Sequence, residues 1–436
     1  MADSTSTRPA LHTAIIGGGI TGVILALGLE RRGVSYTLYE RAPAFTEIGA
    51  GIGFSPNAER ALRYVDPKVY SVYKKVASTT GDKEDYFNWV DGYRTNELVA
   101  RLLIGVDAFQ GGRRSDFLEA WSKLIPSDKV RFDKELVEAV NQGDGTVSLE
   151  FKDGTRAVAN FGCDGIRSRV RHLIIGEKKA QAHPHYTNKF CFRALLPMDK
   201  AREVLGDART ESRFMYNGPG RHAITYAVAE GKLLNALFVI HDPNPWPYER
   251  HTAPGTKQEV VDAYADWHPV VRGLVDLLPE KLDKWAIFDM FDAPTPYYNL
   301  RNIALAGDAA HASGPHLGSG AGFGIEDALV LACLLKLADE AYEQNRPSLT
   351  KERLCDFTLK VYHEIRYERD EWLPKATRDA ADHFQAVREG WTHDDRASFL
   401  KSVSELYHTI WDKDISEMLT ETTMLFNRTM MGMRPN

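Results

Sequence analysis

The sequence predicts an α/β protein in which a nucleotide-binding βαβ region carries an inserted antiparallel sheet and ends in a helical C-terminal tail. Three observations predict it. A short apolar run, a glycine-rich turn, an apolar helical stretch and a second strand follow one another near the N-terminus. Strand-like alternation rich in aromatic residues fills 183–291, and from about Thr350 the chain is highly charged with helical periodicity. At 436 residues the chain exceeds the size of one hydrophobic core, so two or three subdomains are expected. The reading divides it into 1–180 (nucleotide-binding, first part), 181–295 (sheet), 296–345 (nucleotide-binding, return) and 346–436 (helical).

The stretch HTAIIGGGITGVILALGLERRGVSYTLYER justifies the first elements in turn. Ala14–Ile16 reads as a buried strand. Gly17, Gly19 and Gly22 fit G-x-G-x-x-G, an apolar helix follows through Leu29, and Gly33 stands where a helix C-terminus wants glycine. A second strand, Ser35–Tyr39, ends on Glu40, about 20 residues beyond the glycines, as the dinucleotide fingerprint requires. Gly17 makes the tight turn, and Gly19 lets the backbone reach a pyrophosphate at the helix N-terminus. Gly22 permits close helix–strand packing, and Glu40 accepts from the adenosine ribose hydroxyls. A glycine-rich βα turn of any α/β fold would leave Glu40 unexplained.

Composition narrows the function. A net charge of −6 argues against a general nucleic-acid binder, and the short basic run Arg167–Arg171 does not reverse it. Cys163, Cys191, Cys333 and Cys355 show no zinc spacing and read as free thiols. His183 and His185 form an H-x-H pair with no third ligand placed by spacing, so no metal is expected. The first eleven residues lack a signal-peptide pattern, and the longest apolar run, Ala328–Ala338, is broken by Lys336. No transmembrane segment and a cytoplasmic location are expected.

Further glycine-rich elements follow. Gly49–Gly53 (GAGIG) lies beyond the second strand, and Gly162–Arg171 is a glycine/acid turn entering a basic helix. Then GDAAHASGPHLGSGAGFGIEDA runs from Gly307 to Ala328 after an apolar strand, Ile303–Ala306. Together with the N-terminal fingerprint these elements resemble, from about Leu11 to Glu340, the group A FAD-dependent aromatic hydroxylases, whose FAD-binding domain is Rossmann-like and of the GR2 type. The resemblance implies FAD as cofactor and NAD(P)H as a co-substrate bound transiently. It places Arg114 against the flavin nucleotide (a solvated charge at a helix start is the other reading). Gly53 sits in a loop beside the first site. Asp164, with Arg169, serves FAD and NAD(P)H, and Asp308 the ribityl or pyrophosphate region. Residues 318–322, including Gly320, Ala321 and Gly322, present N–H groups to the pyrimidine edge of the flavin. One departure stands out. RAVANFGCDG has only Phe161 as the apolar strand before Gly162, shorter than the family pattern.

Within the sheet segment, Arg193 interrupts FCFRALLP and Tyr226 interrupts AITYAV. An arginine in the middle of an apolar strand is rarely buried without an anionic partner, and an ion pair with a core carboxylate or an outward-facing charge is the other reading. The surroundings are similar to those of fungal monooxygenases from tropolone and azaphilone polyketide pathways, with salicylate hydroxylases next. That likeness implies Arg193 and Tyr226 as anchors of a substrate phenolate. Pro315 and His316 would lie near the reactive edge of the flavin, His316 as a proton relay or as a helix cap. The implied reaction uses dioxygen and a small phenolic substrate, with dearomatisation of a resorcinol aldehyde or ketone in fungal secondary metabolism as the main reading. Decarboxylative hydroxylation of a salicylate-like acid, and a non-catalytic flavin-binding protein, are the alternatives. The helical tail would pack on the FAD domain or form the surface of a homodimer.

Overall fold

A computed structural model describes residues 11–45, 51–77, 84–105, 109–159, 168–344, 350–386 and 391–432. Asp164 and the shortened segment before Gly162 fall outside these. Strands β1 (His12–Ile16) and β2 (Ser35–Tyr39) pair in parallel, with helix α1 (Ile20–Arg32) crossing between them. The crossover is right for a buried parallel pair because α1 lays nine buried residues, Ile20 through Leu29, against the core. β1 starts earlier than its apolar run because the His12 ring bonds Ser35 and Thr37 across the pair, at 2.8 and 3.1 Å. Gly33 closes α1 at φ 69°, a left-handed cap whose N–H reaches the last carbonyls.

The return of the chain is shorter as a strand than its sequence suggests. Only Ile303–Ala304 pairs, with Asn299–Leu300, although 303–306 are all buried. Leu305 turns aside instead and donates to the Tyr298 carbonyl at 2.7 Å. Beyond it the 24-residue helix Gly320–Glu343 packs along α1. Two close approaches fix that contact. A Cβ on Gly28 would stand 2.9 Å from Ala332 Cβ, and the Thr21 hydroxyl is wedged where a Cβ on Gly307 or Gly324 would stand, at 2.6 and 2.2 Å. The two glycine-rich segments, far apart in sequence, are thereby joined at Thr21.

The large sheet has eight strands, ordered Thr252–Thr256, Lys281–Asp289, His185–Pro197, Leu233–His241, Arg221–Val228, Arg213–Gly218, then Asp85–Asp91 and Leu98–Gly105. The alternation in 183–291 predicts an antiparallel sheet. The structure adds two strands from before the FAD helix return, and Asp85–Asp91 pairs in parallel with Arg213–Gly218. One face packs Phe192, Tyr216, Phe238 and Leu234 against Tyr264, Trp267, Val271 and Leu274. The other face looks into the interior of the molecule.

Helices Lys351–Gln385, His393–Trp411 and Ile415–Gly432 form the tail. They cover helix Gly320–Glu343 and also the far end of the sheet, where Phe87 and Trp89 meet Phe384, Phe399 and Tyr407. Among the described residues no helix is long and apolar enough to cross a membrane.

Candidate active site

A cavity of about 390 Å³ lies between the inner face of the sheet and the glycine-rich segments. Its nucleotide-side wall begins at the turn after β1. Gly17 has φ 106°, and a Cβ on Gly22 would stand 2.0 Å from the Gly17 carbonyl oxygen, so neither accepts a side chain without backbone movement. Gly19 caps α1 with open space on its Cβ side, and no side chain caps that helix. Glu40 sits behind the turn, outside the cavity wall. Its Oε2 accepts from Gly18 N–H at 2.6 Å and its Oε1 from Ala42 N–H at 2.7 Å.

The opposite end is built by 307–322. Gly318 takes φ 63°, helix Gly320–Glu343 starts without a side-chain cap, and Asp308, Pro315, His316, Gly320 and Ala321 line the cavity. Gly322 does not. It packs on Ala58, where a Cβ would approach to 3.1 Å. Gly53 lies on strand β3 (Gly51–Phe54), which pairs with Gln110–Arg113, and Arg114 begins the next helix. Both reach the lining. Two uncapped helix N-termini thus open on one chamber, each offering N–H groups and the positive end of a dipole. The cradle fits a dinucleotide whose pyrophosphate meets α1 and whose ring system meets 318–321, a site that FAD would fill.

The far wall is two neighbouring rows of the sheet. Arg193 registers with Leu237 and Leu237 with Ile224, while Asn235 registers with Tyr226. Arg193, Tyr226, Asn235, Leu237, Ile224, Phe87 and Arg213 all line the cavity. Arg193 has no hydrogen bond or ion pair among the described residues, so the core carboxylate considered as its alternative partner is not there. Burial raises the Tyr226 phenol, and Arg193 and Arg213 pull it partly back, so it stays a protonated donor at neutral pH. Arg213 is different: it pairs with Asp85 and donates to the Phe109 carbonyl, and burial lowers it to about 10.

His316 is buried beside His222, ring centroids 5.3 Å apart. Burial, reinforced by Lys189, pushes it down to about 3. It can share a hydrogen bond but does not store a proton as a cation near neutrality, which narrows the relay expected of it. His311, from the same motif, points away from the cavity into a closed ionic cluster: its Nε2 meets Asp327 at 2.7 Å. His311, Asp327 and Asp370 stand close enough to hold a cation, but Arg366 is lodged among them, 2.7 Å from Asp327.

Sequence reasoning missed Arg213, Asn235 and Phe87 as cavity residues. Asn235 carried a signal, a lone polar residue interrupting LLNALFVIH, of the same kind that marked Arg193 and Tyr226. Phe87 could not be found because nothing in 84–105 announces its parallel pairing with a strand more than a hundred residues later.

The class follows from comparison with known proteins. A family described as "FAD binding domain" matches residues 113–353, more than half of the chain. The chain is 41% identical over 446 residues to the FAD-dependent monooxygenase orf3 of Aspergillus niger, covering 98% of this chain and 99% of that one. It is 42% identical over 433 residues to the dual trans-enoyl reductase/FAD-dependent monooxygenase tazHJ of Aspergillus terreus, of whose length it spans 61%. A solved salicylate hydroxylase in substrate complex superposes with a TM-score of 0.80 at 27% identity, over 95% of this chain and 98% of that one. The chain belongs to the FAD-binding domain family, and within it to the FAD-dependent monooxygenases with a salicylate hydroxylase-like fold. Its cofactor is FAD, and the non-catalytic alternative is set aside.

Proposed function

We propose that this monooxygenase hydroxylates a small phenol bound as its phenolate, with dearomatisation of a polyketide resorcinol aldehyde or ketone in fungal secondary metabolism as the natural reaction. The observation that carries the reading is Arg193, an arginine with no protein anion among the described residues, beside an unpaired tyrosine hydroxyl on a sheet face shared with Leu237 and Ile224. A guanidinium left unpaired in such a place is costly unless a ligand anion meets it.

On this reading Gly17, Gly19, Gly22, Gly53, Glu40, Arg114, Asp308, Gly320 and Ala321 hold FAD, with Gly322 setting the helix behind them. Bound FAD, reduced by NAD(P)H, supplies an electrophilic oxygen atom drawn from dioxygen. Arg193 holds the phenol in its charged form and Tyr226 donates to the same oxygen, which orients the ring carbon for attack. Leu237, Ile224 and Phe87 keep the chamber dry and so strengthen both contacts. Neutral His316 and Pro315 border the reacting end, where His316 donates or accepts one hydrogen bond.

Decarboxylative hydroxylation of a salicylate-like acid is the second reading, favoured by the likeness to salicylate hydroxylase. Product mass separates the two: gain of one oxygen, or gain of oxygen with loss of carbon dioxide. Arg193→Ala in the FAD-loaded enzyme should lower kcat/KM for phenols about 10- to 100-fold, the worth of a hydrogen bond to a charged group. Unchanged turnover by that variant would remove the anchor.

A further inference from the structure

We propose that Asn235 is a specificity-determining residue, its side-chain amide donating to a carbonyl oxygen borne on the ring carbon next to the phenolate. The inference rests on the phenol reading above and assigns the residue that would read the carbonyl of such acyl phenols.

Asn235 stands in mid-strand, 1% exposed, opposite Tyr226 and two residues along from the Arg193–Leu237 pair, on the same face of the sheet. Its Oδ1 is shut in without a partner, pressed on β3 so closely that a Cβ on Gly51 would stand 2.7 Å from it and 3.0 Å from the Tyr226 hydroxyl. Its Nδ2 has no hydrogen bond among the described residues either, yet is not sealed off. Asn235 is among the residues that line the cavity. A buried carboxamide with no protein partner is destabilising unless a ligand supplies what is missing.

Three neighbouring strands therefore aim three unpaired donors at one space: Arg193, Asn235 and Tyr226. Arg213, the other cation in the wall, is already engaged by Asp85 and Phe109 and adds none. A guanidinium by itself brings up to about five N–H groups, more than the lone pairs of one phenolate oxygen can take. The surplus calls for a second acceptor on the same ligand, within reach of Nδ2. An aldehyde, ketone or carboxylate carbonyl beside the phenolate provides it.

The test measures kcat/KM for an ortho-acyl phenol and for its analogue with the carbonyl reduced to a methylene. Wild type, Asn235→Leu and the smaller hydroxyl-bearing Asn235→Ser are compared, with the FAD dissociation constant recorded for each. Wild type should prefer the acyl phenol by about tenfold or more. In Asn235→Leu the preference should collapse to within about threefold, and Asn235→Ser should recover part of it. Equal turnover of the two substrates by wild type overturns the proposal without recourse to any variant. So does a preference that survives in Asn235→Leu, or a change confined to FAD affinity, which would assign Asn235 to the cofactor. Failure of wild type to turn over any phenol removes the underlying reading, whereas turnover without preference removes only the role of Asn235. A ketone arm and a carboxylate arm, read by product mass, tell which carbonyl is taken.

Discussion

Behind the flavin segment, Arg366 donates to Glu326, Asp327 and Asp370, all four side chains out of solvent, while Arg369 closes on Glu326 and His311 on Asp327. Across the cavity, Arg193, Tyr226 and Asn235 lie on one sheet face with no hydrogen-bond or ion-pair partner among the described residues. Both clusters hold an arginine out of bulk solvent, and what differs is the balance of donors and acceptors. In the first cluster each cation has its carboxylate, and the result is a rigid seat: Asp327 also takes the Gly307 N–H at 2.7 Å, tying the turn before Asp308 to the long helix. In the second cluster donors are in surplus, and only a ligand can settle the account. Buried polarity alone does not mark a site; several unanswered donors converging on one cavity do.

The contrast can be broken most forcefully at Arg366. Arg366→Met removes the cation shared by three buried carboxyl groups, leaving Asp370 with the least compensation, and should cost about 3–5 kcal/mol, read as a fall in the denaturant midpoint. A loss below about 1 kcal/mol would mean the cluster is not a seat at all. Next in size is the pH response of His311. Burial alone would lower its pKa, but Asp370 and Asp327 outweigh that and raise it to about 9. A folded pKa above the unfolded value of about 6.5 stabilises fully below pH 6.5, and the contribution is lost as pH rises through 9. Stability should therefore fall between pH 6.5 and 9 by on the order of 3 kcal/mol, and His311→Gln should flatten that slope. The smallest effect is expected on the open side. Arg193→Ala removes a charge that has no partner, so the unfolding midpoint should stay within about 1 kcal/mol of wild type or rise. A large destabilisation there would show a protein partner for Arg193 and dissolve the distinction.

Much of the nucleotide half was legible because its signals are local. The turn at Gly17, the cap at Gly33 and the acid after β2 each lie within a few residues of the element they end, and each obeys backbone sterics that hold in any fold. The strand at 303 was overread because an apolar run records burial and says nothing of pairing. Arg193 and Tyr226 were visible as polar interruptions of apolar strands, although that pattern could not tell an answered charge from an unanswered one. Arg366 and Asp370 were invisible in the sequence, where LCDFTLKVYHEIRYERDEWL looks like an ordinary charged helix. They became buried only because that helix crosses under both regions, a tertiary fact with no local trace.

Strands Asp85–Asp91 and Leu98–Gly105 join a sheet whose other members come after residue 185, so the chain leaves the nucleotide region for the sheet and returns, then does so again. Helix Lys351–Gln385 straddles both. A door hung on a single linker can swing, but a wall stitched to its neighbour at four crossings and braced by a beam cannot. A domain hinge is then not expected to open the cavity, and exchange of substrate and product falls to loops and side chains at its rim.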